Sequence, residues 1–356
     1  MQRFDLYVLR TFLAHWLVIG AAFLGLFLVM EALGKSDEFA RGTAAFELGA
    51  LDVLRYFALD LPFKLLQFAP YITLLSGLGS VLTLLKNREW TPALTAGRPT
   101  SRAFLPMFAA ALAIGAVLGV VRESLAPRLL PEREALMKPF FSQREWAPED
   151  LWARGAGDAR MKARVYLPAT DTRRPTVEGL EVHRPSPTGG DQMVEAVRAT
   201  WDGEAWVLEG GLVRGTDGSE EAIARFATTG LTPRDLERAY FGRTHPLDLS
   251  AADWRALLRA DPDHRQAATL DWTWRIAPLV HLVLLALGLP FALSFERRSS
   301  LEGLSTGLLF CALYFVVELL LRDLGGRGVL EPWLAGTGPV LLFGSVGLWA
   351  FERIPT

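Results

Sequence analysis

Six long apolar runs dominate the pattern of hydrophobic and polar positions along the chain. They cover residues 11–30, 65–85, 103–121, 276–295, 303–321 and 332–351. A helix rises about 1.5 Å per residue, so about 20 apolar residues cross the hydrocarbon core of a bilayer. Glu318 is the only Asp, Glu, Lys or Arg inside these runs, whereas buried helices of soluble proteins are shorter and more amphipathic. The pattern predicts six transmembrane helices.

A polar block, residues 127–268, separates the third run from the fourth and has no apolar run of spanning length. Within it, residues 162–167 alternate between apolar and polar positions. This period of two predicts a half-buried strand, with Ala163 and Val165 facing a core and Tyr166 facing away from it.

Other parts of the block predict further strands and one helix. Short apolar runs separated by turns rich in Pro, Gly and Asp lie at residues 177–182, 193–200, 205–208 and 222–227. Regularly spaced short strands favour a β-sandwich or a jelly roll. Residues 249–259 predict a helix with Ser250 as its N-cap and Asp253 in the capping-box position.

The sequence therefore predicts an α-helical integral membrane protein with six transmembrane helices and an inserted, periplasmic, all-β jelly-roll-like domain. Residues 1–126 hold helices one to three, residues 127–268 the β-domain and residues 269–356 helices four to six. The basic residues of the short loops set the orientation, because the side richer in Lys and Arg faces the cytoplasm. Nine of them, including Arg3 and Arg353, share one side and five share the other. Both termini are thus expected in the cytoplasm.

Composition and motifs exclude several classes of function. The chain is 51% hydrophobic with a formal net charge of −2, and without a dense basic patch it is not expected to bind nucleic acid. Its five histidines lack metal-ligand spacing and Cys311 is the single cysteine, so neither a metal nor another cofactor is expected. Gly34-Lys35-Ser36 follows an apolar run rather than a β-strand, which argues against a phosphate-binding loop. No catalytic residues are predicted, and energy for transport would come from a partner or an ion.

Charges near the outer ends of the apolar runs are the first candidate site. They are Lys64, Arg275, Glu318 and Arg322, called the rim residues below. An ionisable group at membrane depth is costly and usually faces a cavity or a partner. Basic rim residues would suit the phosphates of an anionic lipid. The alternative is that the long side chains reach to the membrane interface without a functional role.

The loop between the second and third runs is the second candidate site. Glu89, Ala93, Leu94 and Gly97 fall along one face of a short helix predicted near residues 87–98. An amphipathic helix under the membrane is a surface on which a cytoplasmic motor can dock. The alternative is an ordinary polar loop.

The layout of three helices, a β-domain and three more helices resembles the LptF/LptG family of lipopolysaccharide-export permeases. The resemblance covers nearly the whole chain and is strongest in WRIAPL at 274–279 and LGLPFAL at 287–293. It extends to the β-domain segments 177–182 and 206–211. In the family's coupling helix, a glutamate and a glycine stand where Glu89 and Gly97 stand here, while Arg88, Trp90, Ala93 and Thr95 depart from the family pattern.

The resemblance implies one permease subunit of an ABC transporter in the bacterial inner membrane. Its expected partners are a paralogous permease, a dimeric cytoplasmic ABC ATPase, a periplasmic β-jelly-roll bridge protein and lipopolysaccharide. Glu89, Ala93, Leu94 and Gly97 would contact the ATPase. Two other functions remain open: a secondary transporter with inverted 3+3 repeats, and a membrane receptor or scaffold with a periplasmic β sensor domain. Co-purification with an ATPase would separate the first function from the other two.

Overall fold

The chain forms two compact units. The computed structural model describes residues 3–46, 49–89, 92, 99–138, 146–170, 172–185, 191–216, 218–227, 230–294 and 300–353. The helical unit comprises Met1–Ser36, Phe57–Leu125 and Thr269–Thr356, and the β-unit comprises Asp37–Tyr56 and Ala126–Ala268.

Helices account for most of the described residues. They are α1 (Arg3–Gly34), α2 (Ser36–Phe46), α3 (Ala50–Lys86), α4 (Thr100–Met137), α5 (Pro233–Thr244), α6 (Ala251–Ala260), α7 (Arg265–Ser294), α8 (Ser300–Gly326) and α9 (Pro332–Glu352). Within the described ranges, α1, α3, α4, α7 and α9 are long and apolar enough to span a membrane. The helix that holds the fifth apolar run, α8, is 27 residues long and is not among these five.

Glycines let two of the long helices pack closely in the helical unit. A Cβ atom at Gly77 of α3 would overlap the Cδ1 atom of Leu285 in α7, and one at Gly288 of α7 would overlap the Cδ1 atom of Leu74 in α3. Each helix thus places a leucine against the glycine of the other. Both leucines are fully buried in the core of this unit. Small residues at such contacts let membrane helices approach, since packing rather than water exclusion drives their association.

The β-unit contains one antiparallel sheet. Its strands are β1 (Glu149–Arg154), β2 (Arg160–Leu167), β3 (Thr176–Pro185), β4 (Asp191–Trp201), β5 (Trp206–Glu209), β6 (Leu212–Gly215), β7 (Glu220–Ala222) and β8 (Arg225–Phe226). The main path runs β1-β2-β3-β4-β5-β8, while β6 pairs with β4 and with β7. One half of β4 therefore pairs with β5 and the other half with β6. The fold class, membrane helices with an inserted antiparallel β-domain, is confirmed.

The predicted facing of Tyr166 is wrong. Tyr166 and Ala163 are both fully buried in the core of the β-unit, so alternation along β2 breaks between them. Their partners on β3, Val177 and Leu180, are buried as well. Between these pairs lies Gly179, whose φ of 64° is in the left-handed region. A residue in that conformation interrupts the regular pleat, and the inward face changes at this point.

Two short helices of the β-unit begin with linked caps. Ser250 caps α6 by accepting from the Asp253 amide at 3.1 Å, which confirms the predicted helix. Helix α5 was not predicted from the sequence, although Thr232 and Asp235 form a complete capping box there. Arg238 joins the two caps, since it donates to Asp253 at 2.8 Å and to Asp235 at 2.7 Å.

Candidate functional site

Each basic rim residue forms an ion pair with a carboxylate one turn earlier on its own helix. The nitrogen–oxygen distances are 3.6 Å for Lys64–Asp60, 2.6 Å for Arg275–Asp271 and 3.7 Å for Arg322–Glu318. The structure thus brings the rim residues Glu318 and Arg322 together and gives Lys64 and Arg275 acidic partners of their own. Such pairing lowers the cost of holding charge at membrane depth.

Lys64 lies between a buried carboxylate and an aromatic ring. Asp60 is 3% exposed, and the Lys64 ammonium lies 4.9 Å from the centre of the Phe27 ring on α1. Cation–π contact and ion pairing hold the ammonium from two sides. Its side chain is still 24% exposed, so the cation is within reach of a ligand.

Arg275 is the most exposed of the rim residues. Its side chain is 53% exposed, whereas that of Asp271 is 5% exposed. The guanidinium lies 5.1 Å from the centre of the neighbouring Trp272 ring. A guanidinium presents a planar fork of donors that matches phosphate oxygens, so Arg275 can keep one donor on Asp271 while others meet a ligand.

Glu318 and Arg322 belong to a partly buried cluster that reaches three other helices. The Tyr71 hydroxyl of α3 and the Arg122 guanidinium of α4 both lie near enough to act on the Glu318 charge. Arg122 is 9% exposed and its guanidinium lies 3.6 Å from the centre of the Trp274 ring on α7. The sequence analysis missed Arg122, which directly follows the third apolar run.

A second polar cluster that the sequence analysis missed joins α1, α3 and α7. Trp16 donates its indole N–H to the Thr73 hydroxyl at 3.2 Å, and Thr73 lies 2.9 Å from His281 Nδ1. On the same side of α3, Ser80 lies 3.4 Å from His15 Nδ1. Hydrogen bonds between membrane helices add to their packing. The signal available in the sequence was the one histidine in each of two apolar runs, His15 and His281.

The second candidate site lies where α3 ends. Arg88 adopts the left-handed conformation with φ of 56°. The Glu89 amide donates to the Leu84 carbonyl and the Arg88 amide to the Leu85 carbonyl, both at 3.0 Å. These two bonds are a Schellman cap, so Glu89 lies in the turn that ends α3. Its carboxylate lies beside the hydroxyl of Tyr7.

The other members of this site, Ala93, Leu94 and Gly97, lie outside the described residues. No group of three or more His, Cys, Asp or Glu side chains in the described part of the chain is placed to hold a metal ion. Of the two candidate sites, the structure thus describes the four rim residues and Glu89, all of which carry ionisable side chains.

The model of one protein family matches almost the whole chain. Its description is "Lipopolysaccharide export system permease LptF/LptG", and it matches residues 6–353. No curated protein matches the chain. The matched range covers both sets of helices and the sheet between them.

Proposed function

The chain belongs to the LptF/LptG family of lipopolysaccharide export permeases, and we propose that it is one permease subunit of an ABC transporter. In this proposal it extracts lipopolysaccharide from the inner membrane together with a paralogous permease and passes it to a periplasmic bridge protein. The observation that carries the proposal is the family match over residues 6–353. It spans every part that the function requires: membrane helices, the loop after α3 and the β-domain.

The basic rim residues are proposed to hold the phosphates of the lipid. Lys64, Arg275 and Arg322 each place a cation directly beside the end of an apolar run. Charge-assisted hydrogen bonds to phosphate are the strong ones, and the helix walls offer apolar surface to acyl chains. Because each cation already has a carboxylate partner, a phosphate binds by sharing or replacing that partner.

The energy is proposed to come from a dimeric cytoplasmic ABC ATPase. The sequence holds no complete phosphate-binding loop, so nucleotide chemistry belongs to a partner. Glu89, Ala93, Leu94 and Gly97 are the residues proposed to contact this ATPase. The Schellman cap fixes the backbone of Glu89 at the end of α3, so a push on this turn is transmitted directly to the helix that also carries Lys64.

The sheet of the β-unit is proposed to meet the periplasmic bridge protein. In the described residues the main path of the sheet ends at β1 and at β8. A strand of a partner can add to such an end through main-chain hydrogen bonds. A continuous sheet across the two proteins would give the lipid a path away from the membrane.

Charge reversal at Glu89 tests the proposal. Glu89→Arg places a cation where the ATPase is expected to meet a carboxylate, so co-purification of the ATPase should fall about tenfold. Glu352→Arg is the matched control, because Glu352 is an exposed acidic residue at the end of α9, expected on the same side of the membrane. Co-purification is measured from membranes that contain equal amounts of each variant.

Two results would contradict the proposal. If the parent chain brings down no ATPase, the ABC transporter assignment fails. If Glu89→Arg and Glu352→Arg bring down as much ATPase as the parent, the loop after α3 only connects two helices.

A further inference from the structure

A cleft of about 270 Å³ lies in the β-unit between β1, α5 and α6. Its inner wall is formed by Ala153 of β1, Ala239 of α5 and Leu257 of α6. Gly242 of α5 also lines the cleft, and a Cβ atom there would lie 3.3 Å from Leu257. A second cavity of about 290 Å³ shares these three wall residues. Concave sites with an apolar wall and a few polar groups are typical of small-ligand binding.

The rim of the cleft is basic. Arg154, Arg160, Arg243 and His264 line it together with one carboxylate, Asp261. Arg154 donates to Asp261 at 2.8 Å, which neutralises that carboxylate. The remaining cations favour an anionic ligand.

The two remaining arginines have donors available. The Nε of Arg243 donates to the Ala239 carbonyl at 3.3 Å, which leaves the two terminal nitrogens. Across the described residues the structure records no carboxylate within ion-pair distance of Arg243. Arg160 lies 3.4 Å from Asp158 with both side chains at least half exposed, and such a pair is weak enough for a ligand to replace.

His264 adds a directed donor. Its Nδ1 accepts from the Ala267 amide at 3.3 Å, so in the neutral ring the proton resides on Nε2. The imidazole can therefore donate one hydrogen bond to an oxygen in the cleft. Together, His264, Arg160 and Arg243 suit a group with several anionic oxygens, such as a phosphate.

Trp152 gives the cleft an aromatic edge. Its side chain is 47% exposed, and the Lys162 ammonium lies 5.6 Å from the centre of its ring. An exposed indole face can pack against the C–H groups of a sugar ring. The small alanines of the inner wall offer no such flat surface. Cations for phosphate and an aromatic face for a sugar occur in the same cleft.

We propose that this cleft binds a phosphorylated sugar, either free or as the headgroup of a lipid. The inference goes beyond the export function, because the cleft lies among residues 152–264 of the β-unit and would bind a soluble ligand without any transport. Arg243 and Arg160 hold the phosphate, His264 donates to it and Trp152 packs against the sugar.

The full chain in phosphatidylcholine nanodiscs tests the inference. Glucose 1-phosphate is titrated by calorimetry, with glucose and inorganic phosphate as separate probes. In a second arm, the nanodiscs contain lipid A and a photoreactive side chain replaces Ala260 in the cleft. The variants are Arg243→Gln and its matched control Arg255→Gln, because Arg255 of α6 makes the same type of bond to the carbonyl four residues earlier but does not line the cleft.

Arg243→Gln is expected to weaken binding about tenfold or more, while Arg255→Gln changes it less than about twofold. Loss of glucose 1-phosphate binding in Arg243→Gln identifies a free phosphosugar as ligand. Crosslinking of lipid A that Arg243→Gln lowers, without binding of the soluble probe, identifies a lipid headgroup. Arg160→Gln repeats each test if Arg243→Gln does not fold.

Three results would overturn the inference. The first is glucose binding as tightly as glucose 1-phosphate, and the second is an equal loss of binding in the two arginine variants. The third is that neither glucose 1-phosphate nor lipid A binds in the cleft. Each would show that the rim does not recognise phosphate. None of the three bears on ATPase co-purification, so the proposed function is tested separately.

Discussion

At the scale of single residues, the burial of Asp60 determines what the loss of Lys64 would do. An exposed ion pair contributes only about 0–1 kcal/mol, but Asp60 is 3% exposed. Removing one partner of a buried pair costs about 3–5 kcal/mol, because a buried charge is left behind. Lys64→Ala alone would therefore combine a folding defect with any loss of lipid binding.

Neutralising Asp60 first separates the two effects. Asp60→Asn should keep or increase crosslinking of lipopolysaccharide, since Lys64 loses its competing carboxylate. Adding Lys64→Ala to Asp60→Asn should lower crosslinking about tenfold, because a charge-assisted contact is worth about 1.5–3 kcal/mol. The photoreactive side chain replaces Phe68, one turn from Lys64 on α3 and in contact with Phe27. Equal crosslinking in both variants would leave Lys64 with a purely structural role.

Glu237 gives the β-unit a pH dependence. Burial raises the pKa of Glu237 above its usual value of 4.5, although the hydrogen bond from Tyr166 acts to lower this pKa. Tyr166 donates to Glu237 at 3.0 Å. A carboxyl with a raised pKa stabilises the fold when protonated, and this contribution is lost as pH rises through its pKa in the folded state. Once pH exceeds the raised pKa of Glu237, the buried carboxylate therefore weakens the β-unit.

Glu237→Gln should raise the melting temperature of the β-unit by a few degrees at pH 7. The glutamine oxygen still accepts from Tyr166, and the buried charge is gone. The gain should shrink as pH falls toward 4.5, because Glu237 then becomes neutral in the parent chain. Melting is followed by the circular dichroism of the full chain, with Glu221→Gln on the exposed strand β7 as control. A gain that is the same at both pH values would rule out this account.

At the scale of elements, Gly179 determines how β2 and β3 face the core. Gly179→Ala should destabilise the β-unit by more than about 1–2 kcal/mol, since the left-handed conformation alone costs about that for other residues. In addition, the new Cβ atom would lie 2.9 Å from the Cβ atom of Arg164. Gly218→Ala separates the two causes, because Gly218 has φ of 79° and no neighbouring atom within 4 Å of such a Cβ.

Thermal melting of the full chain measures both glycine variants. Gly218→Ala reports the conformational cost alone. The melting temperature of Gly179→Ala should be lower than that of Gly218→Ala. If the two variants have the same melting temperature, crowding against Arg164 contributes nothing to the destabilisation. If Gly179→Ala melts with the parent, Gly179 does not set the facing of Tyr166.

The elements show which parts of the fold could be predicted from sequence. Apolar runs of about 20 residues identify membrane helices because a bilayer has a fixed thickness. Ser250 with Asp253 revealed α6, and Thr232 with Asp235 carried the same signal for α5. The facing of Tyr166 was not predictable, because it depends on the conformation of Gly179 on another strand.

The candidate site was predictable only in part for a similar reason. An acid one turn before each basic rim residue is visible in the sequence, as at Asp271 and Arg275. The contact between Arg122 and Trp274 joins α4 to α7. It depends on how the two helices pack, and no spacing along the chain predicts it.

At the scale of the whole molecule, the orientation in the membrane stays a prediction that labelling can test. Cys311 is the single cysteine, so Cys311→Ser provides a background without thiols. In that background an impermeant maleimide should label Asp191→Cys in intact spheroplasts, and Ser299→Cys only after permeabilisation, if both termini are cytoplasmic. Ser299 lies outside the described residues. Labelling of Ser299→Cys in intact spheroplasts would reverse the orientation.

The ion pairs within single helices affect how a transporter releases its substrate. A cation without a partner would bind a phosphate with a long residence time, and slow dissociation would limit every cycle. Asp60, Asp271 and Glu318 each lie one turn from their cation. When the phosphate leaves, this carboxylate takes its place, so the cation always has a partner in its apolar surroundings. In the proposed transporter, these carboxylates compete with the lipid phosphate for each cation. This competition keeps the affinity for the lipid moderate and its release fast.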